Sequence, residues 1–234
     1  MDNAVSRLLV LLLRAKELSA STQGMQNWKT LFNVTHDHEV PEKLGALLVL
    51  AGDAARQVIE LHPDCTDGVN YWRSRIAAAL TVSTLHSPWN EFFKYIDSHS
   101  ISYLKMQAKL VNGERRTVLL DDSRLKSSHD ALRMALDEIA SSSLSPEAKL
   151  VLLDRVRSLI AAIENYAIFG QEAIFDLLKA TAFDLGALKE AGQDVSGSKS
   201  LKEGLSILAD LMTVASTIPV LGPPALALIQ RITQ

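Results

Sequence analysis

The apolar residues of this chain recur at the spacing of an α-helix along most of its length. After Ser145-Pro146-Glu147, apolar side chains return every three or four residues for about four turns, at Leu152, Leu153, Val156, Leu159, Ile160, Ile163 and Tyr166. Clean alternating strands are scarce, and leucine and alanine, which dominate the composition, favour helices. The sequence therefore predicts an all-α fold, a multi-helix bundle of about eight to ten helices with an apolar helical C-terminal tail.

Composition narrows the class of protein. The chain has 234 residues, of which 47% are hydrophobic and 22% are charged, as is typical of globular rather than disordered proteins. The net charge of −3 gives no basic field, so DNA is not expected as a partner and RNA is disfavoured. Cys65 is the single cysteine, which excludes an intrachain disulfide framework and a cysteine-rich zinc site.

The N-terminus does not match a secretory signal. Its apolar run, Leu8–Leu13, is shorter than the hydrophobic region of such signals, and Arg14 closes it. We therefore expect a cytoplasmic protein. Association with the inner membrane is the alternative if the C-terminal segment contacts lipid.

Residues 192–200 form the one glycine- and serine-rich stretch. Lys199 does not directly follow Gly197 and no strand precedes, so the stretch does not match a phosphate-binding loop. We predict a body over residues 1–191, a flexible linker over 192–200 and an apolar helical tail over 201–234.

The segment 104–120 is open to two interpretations. Asn112-Gly113 lies between apolar segments, which is a strong signal for a β-hairpin. Lysine, methionine, glutamine and alanine before it are poor strand residues, so we favour a helix followed by a loop.

Residues 144–173 contain a sequence pattern that is similar to one found in other proteins. The pattern Ser-x-Leu-Ser-Pro-Glu-x-Lys, then Ala-Ile-x-x-Tyr and Gly-x-Glu-Ala, is similar to a segment of uncharacterised bacterial all-helical proteins. The resemblance implies a bacterial type of helical protein and carries no assigned activity.

Two stretches match the Arg-x4–6-His motif of the HEPN ribonucleases, which are also helical. The first pairs Arg124 with His129, and the second pairs Arg56 with His62. Arginine and histidine recur at these spacings by chance in a chain of this composition, so two matches are no excess. Arg124 and His129 form the candidate catalytic pair of this hypothesis.

The densest group of metal-ligand types is His36-Asp37-His38-Glu39. Imidazole and carboxylate groups suit zinc, nickel or iron. His36 and His38 are two residues apart, which places them on different sides of a helix, and no His-Glu-x-x-His spacing completes a site. We expect a solvated loop and no metal.

The run Leu211–Ile229 holds 19 residues without a charge. Its mean hydropathy of about 1.7 makes it a candidate membrane span. Pro219, Pro223 and Pro224 argue against that, because each removes an amide donor and breaks a spanning helix. The residues expected to pack or to contact lipid are Leu211, Val214, Ile218, Val220, Leu226 and Ile229.

These patterns favour a non-catalytic helical interaction or assembly protein that binds a protein partner or a second copy through its tail. No cofactor and no enzymatic activity are expected. The first alternative is a membrane-directed effector or toxin of a bacterial defence or competition system, acting through residues 204–230. The second alternative is a HEPN-like ribonuclease.

Overall fold

A computed structural model describes residues 2–82, 85–114, 119–193 and 197–215. These residues form ten α-helices and one short 3-10 turn, Pro63–Cys65, with no β-strand among them, so the predicted all-α fold is confirmed. The helices are α1 (Ala4–Glu17), α2 (Gly24–Phe32), α3 (Glu39–Leu61), α4 (Thr66–Val82), α5 (Trp89–Phe93), α6 (Ser98–Glu114), α7 (Asp122–Ser141), α8 (Pro146–Glu164), α9 (Tyr166–Glu190) and α10 (Lys199–Ala215).

The chain divides into two compact units, Met1–Arg116 and Thr117–Gln234. This differs from the predicted division into a body over 1–191 and a tail over 201–234. The reason is that α10, which begins inside the glycine- and serine-rich stretch, packs mainly against α7 and belongs to the second unit.

In the first unit, α1, α3, α4 and α6 enclose a core of large side chains. The fully buried members are Leu8, Leu12, Leu47, Leu50, Trp72, Ile76, Trp89 and Leu104. Trp28 meets Trp89 edge-on at 4.7 Å between ring centroids. The Trp89 Nε1–H donates to the Ala15 carbonyl oxygen at 2.8 Å, so this buried indole is satisfied.

The segment 104–114 is helical, as favoured. α6 continues through Asn112 and Gly113 to Glu114, so the hairpin alternative is wrong for these residues. The buried side of α6 is long enough to override the turn signal, with Leu104, Ala108 and Val111 on the core. Residues 115–118 lie outside the described residues.

The second unit is built from α7 to α10. His129 bonds Glu164, and the Lys149 ammonium donates to the Ala140 carbonyl oxygen, so α8 runs antiparallel to α7. Asp121 and Ser145 cap the N-termini of α7 and α8 through their side chains, which accept hydrogen bonds from the Arg124 and Ala148 backbone N–H groups.

Gly170 interrupts the helical geometry of α9. Its φ of 70° and ψ of −172° are non-helical and mark a kink. The left-handed sign of φ explains the glycine, since other residues are strained in this region.

Candidate functional site

The candidate ribonuclease pair lies on α7, and its two members point to different partners. The Arg124 guanidinium Nη2 lies 3.2 Å from Asp210 Oδ2 on α10. The His129 ring contacts Glu164 on α8, with 3.1 Å from Nε2 to the carboxylate Oε1. The two side chains therefore connect α7 to two other helices.

Both ring nitrogens of His129 have a carboxylate neighbour. Nδ1 lies 3.2 Å from Asp130 Oδ1, and Nε2 faces Glu164. The side chain is 20% exposed. A general base needs a ring nitrogen within hydrogen-bond reach of the substrate proton, and here both nitrogens already have partners within the unit.

The second match to the same motif lies at the end of α3. The Arg56 guanidinium pairs with Asp53 at 2.7 Å and is 68% exposed. His62 is the C-cap residue of α3, where its backbone N–H donates to the Val58 carbonyl oxygen at 2.7 Å. Arg56 is therefore engaged on the surface of the helix, while His62 marks its end.

The histidines of the candidate metal group lie just before α3, with their rings stacked at 5.4 Å between centroids and 15° between planes. The side chain of Glu39 accepts hydrogen bonds from the backbone N–H groups of His36 at 2.7 Å and Thr35 at 3.2 Å. These bonds lower the pKa of Glu39. Among the described residues, no group of three or more His, Cys, Asp or Glu side chains is arranged to hold a metal ion. The backbone of this loop is therefore hydrogen-bonded to Glu39, the first residue of α3.

Asp37 has a separate role in that loop. The Lys29 ammonium donates to its Oδ1 at 2.8 Å, and this hydrogen bond lowers the pKa of Asp37. The contact ties the loop before α3 back to α2, so the carboxylate is engaged as a link between elements.

The first part of the predicted tail is α10, and Glu138 of α7 holds its N-terminus. The carboxylate accepts from the Ser198 hydroxyl at 2.7 Å, the Ser200 hydroxyl at 2.5 Å and the Ser200 backbone N–H at 3.1 Å. The hydroxyl of Ser200, then that of Ser198, lowers the pKa of Glu138. The positive end of the α10 helix dipole also stabilises a carboxylate at this position.

α10 also approaches α7 closely along its middle. Gly204 leaves so little room that a Cβ there would lie 2.9 Å from Leu132 Cγ. The Ser128 hydroxyl donates to the Gly204 carbonyl oxygen at 2.9 Å in the interior. The apolar side of α10 is buried as well, at Leu201, Leu205, Leu208, Ala209, Leu211 and Met212.

The predicted tail residues divide into two groups. Leu211 is buried within the second unit, and Val214 lies on α10. Ile218, Val220, Leu226 and Ile229 lie outside the described residues. None of the helices in the described ranges is both long enough and apolar enough to cross a membrane.

A cleft in the first unit was not predicted from the sequence. Its volume is about 310 Å³, and its lining residues are Lys16, Leu18, Ala20, Trp89, Asn90, Phe93 and Ile96. The sequence feature that could have indicated this cleft is the helical spacing of Trp89 and Phe93, which lie four residues apart. Since the Trp89 indole N–H is bonded to Ala15, the ring is held in place by the fold.

Two large apolar side chains of α3 lie in solvent. Leu48 is 51% exposed and its neighbour Val49 is 56% exposed. The buried side instead runs through Val40, Leu47, Leu50, Ala51, Ala54, Ala55 and Val58. An apolar face of α3 is therefore left in contact with solvent.

Searches for similarity to protein-family models, curated proteins and solved structures gave no match to this chain. The fold and the contacts described above are therefore the basis for a functional proposal.

Proposed function

We propose that the protein is a non-catalytic helical assembly protein whose C-terminal segment, residues 216–230, binds a second copy of the chain. The observation that carries the proposal is the anchoring of α10. Its apolar side chains are already used in the core of the second unit. The uncharged sequence that follows it continues to supply apolar residues, including Ile218, Val220, Leu226 and Ile229.

The anchoring places Ala215, the residue that precedes this segment, at a definite end of the second unit. Glu138, near the end of α7, holds the start of α10, and Arg124, near the start of α7, pairs with Asp210. α10 is therefore antiparallel to α7, and Ala215 lies at the end where α7 begins.

That end of the second unit carries apolar surface. Leu119, which precedes α7, is 56% exposed. The Leu120 backbone N–H donates to the Tyr166 hydroxyl oxygen at 2.9 Å, which brings the start of α9 to the same end. Phe169, on the first turn of α9, is 39% exposed. Removing these side chains and the segment 216–230 from water together would favour association.

The polar contacts support a non-catalytic role. Arg124 and His129 are each engaged with a carboxylate of a different helix, which is what a structural pair requires. Catalysis would instead require their polar atoms to converge on a substrate.

The test measures the mass of the full chain by light scattering after size exclusion, over a range of protein concentrations. Leu226→Asp with Ile229→Asp should lower the mass of the assembly, because a charge in an apolar contact must be desolvated. Ser143→Asp with Ala161→Asp adds the same charge at exposed positions of the second unit and should leave the mass unchanged.

An unchanged mass in the Leu226→Asp, Ile229→Asp chain would contradict the proposal. Flotation of the natural chain with phosphatidylglycerol vesicles, lost in the same variant, would replace assembly with the membrane-directed alternative.

A further inference from the structure

α3 presents an apolar face to solvent that its own unit does not cover. Leu48, Val49 and Gly52 lie three, four and seven residues after Gly45, so the four residues share one side of the helix. Leu48 and Val49 are 51% and 56% exposed. Two adjacent large apolar side chains are thus held in water at the middle of a 23-residue helix.

The two glycines of this face have no role within the described fold. A Cβ added at Gly45 or at Gly52 would meet no atom within 4 Å, and neither residue has a positive φ. Glycine is a poor residue for a helix interior, and here the fold gains nothing from it. Small residues on a helix face allow a second helix backbone to approach closely, which would explain both positions.

The face is complementary to itself when two copies of α3 run antiparallel. Pairing centred between Leu48 and Val49 sets Leu48 opposite Val49 of the second copy, and Gly45 opposite Gly52. A contact of this kind uses the same patch on both copies and closes as a two-fold dimer.

The charges that flank the face fit the same pairing. Glu42 and Arg56 are both exposed and lie at opposite ends of the patch. The antiparallel arrangement brings Glu42 within one position of Arg56 of the second copy, twice per dimer. A parallel arrangement would instead place Glu42 beside Glu42 and Arg56 beside Arg56, which is repulsive.

We propose that this face of α3, with Leu48 and Val49 at its centre, is a second self-association surface that forms an antiparallel two-fold dimer. It lies in the first unit and does not depend on the C-terminal segment. A single helix face per copy makes a small interface, so the dimer should exchange with monomer as the protein is diluted.

The experiment measures the dimer dissociation constant by sedimentation velocity. It uses the full chain carrying Leu226→Asp and Ile229→Asp, so that association through the C-terminal segment does not contribute. Leu48→Asp should weaken the dimer by about 10-fold or more, since it removes a central contact and buries a charge.

Charge reversal tests the register. Glu42→Arg and Arg56→Glu should each weaken the dimer by about 3- to 10-fold, because each creates two like-charge contacts between the copies. Arg56→Glu also breaks the exposed ion pair with Asp53 of its own helix, at 2.7 Å, so Glu42→Arg is the cleaner of the two reversals. The double reversal should return the constant close to its starting value. Arg73→Glu, a reversal at an exposed position of α4, should leave it unchanged.

Alanine at the glycines separates an interface role from a structural one. Gly45→Ala with Gly52→Ala should raise the melting temperature of the dilute chain, because alanine favours helix, while weakening the dimer. A purely structural role would not move the two quantities in opposite directions.

Three results would overturn the proposal. The chain could remain monomeric at every concentration. The double reversal could bind more weakly than either single reversal. The glycine variant could raise the melting temperature with no change in the dissociation constant.

Discussion

Gly204→Ala tests whether α10 is packed tightly on α7, on which the anchoring of the C-terminal segment depends. Two opposing effects are expected. Alanine in place of glycine in a helix interior stabilises the helix by about 1 kcal/mol. The added Cβ would also lie 2.9 Å from Leu132 Cγ and 3.3 Å from the Ser128 carbonyl oxygen.

The second effect should be the larger one. The Ser128 oxygen belongs to the α7 backbone, which cannot shift without disturbing the hydrogen bond from the Ser128 hydroxyl to Gly204. Overpacking of this kind costs about 1–3 kcal/mol. We therefore expect Gly204→Ala to lower the free energy of unfolding of the second unit by about 1 kcal/mol net.

The assay is urea unfolding followed by circular dichroism and by tryptophan fluorescence. The three tryptophans are Trp28, Trp72 and Trp89, all in the first unit, so fluorescence reports that unit. Gly204→Ala should shift the transition seen by circular dichroism to lower urea and leave the fluorescence transition in place.

Gly52→Ala is the matched control, because a Cβ there meets nothing within 4 Å. It should stabilise the first unit of the dilute chain by up to about 1 kcal/mol. Leu132→Ala removes both side-chain atoms that the new Cβ would crowd, Cγ and Cδ2, so this substitution and Gly204→Ala together should cost less than their sum. Stabilisation by Gly204→Ala would refute the close approach of α10 to α7.

Two further predictions concern caps. Asp97 accepts the Tyr71 hydroxyl and both the N–H and the hydroxyl of Ser100, and although burial raises its pKa, these hydrogen bonds lower it to about 2. This lowered pKa stabilises the first unit by about 2 kcal/mol above the ordinary aspartate pKa of 3.8, and the stabilisation should fade as the pH falls from 3.8 towards 2. Asp97→Asn should remove it at neutral pH, and fluorescence-monitored urea unfolding that shows no loss would contradict the assignment. Ser145→Ala removes the cap of α8 and should destabilise the second unit by about 1 kcal/mol in urea unfolding followed by circular dichroism, with Ser143→Ala as the neutral comparison.

Local signals in the sequence predicted the helices well, because the information lies within a few residues. Ser145 followed by Pro146 marks a helix start, and the structure places the Ser145 side chain at 3.2 Å from the Ala148 N–H. Asp121 acts in the same way for α7. Both motifs are complete within one helical turn.

The division into units could not be predicted in this way. Glycine and serine between 192 and 200 are typical of a linker, but Ser198 and Ser200 bind Glu138, which is about 60 residues earlier in the chain. Nothing in the composition of the stretch marks these two serines as ligands of a carboxylate. The same hydroxyl groups could equally have remained in water.

The carboxylate partners of Arg124 and His129 could not be predicted from the sequence either. The carboxylate beside Arg124 is 86 residues away, and the one beside His129 Nε2 is 35 residues away. The exposed face of α3 was missed because apolar residues occur on both sides of that helix. Periodicity alone therefore could not assign Leu47 to the core and Leu48 to solvent.

The proposed assembly through the C-terminal segment is tested most directly by hydrogen–deuterium exchange of the full chain at increasing protein concentration. Peptides covering residues 216–230 should become more protected as the concentration rises, and this gain should disappear in the Leu226→Asp, Ile229→Asp chain. Peptides from α10 should be protected at every concentration, because its apolar side is buried within one chain. Exchange of residues 216–230 that does not change with concentration would contradict the account.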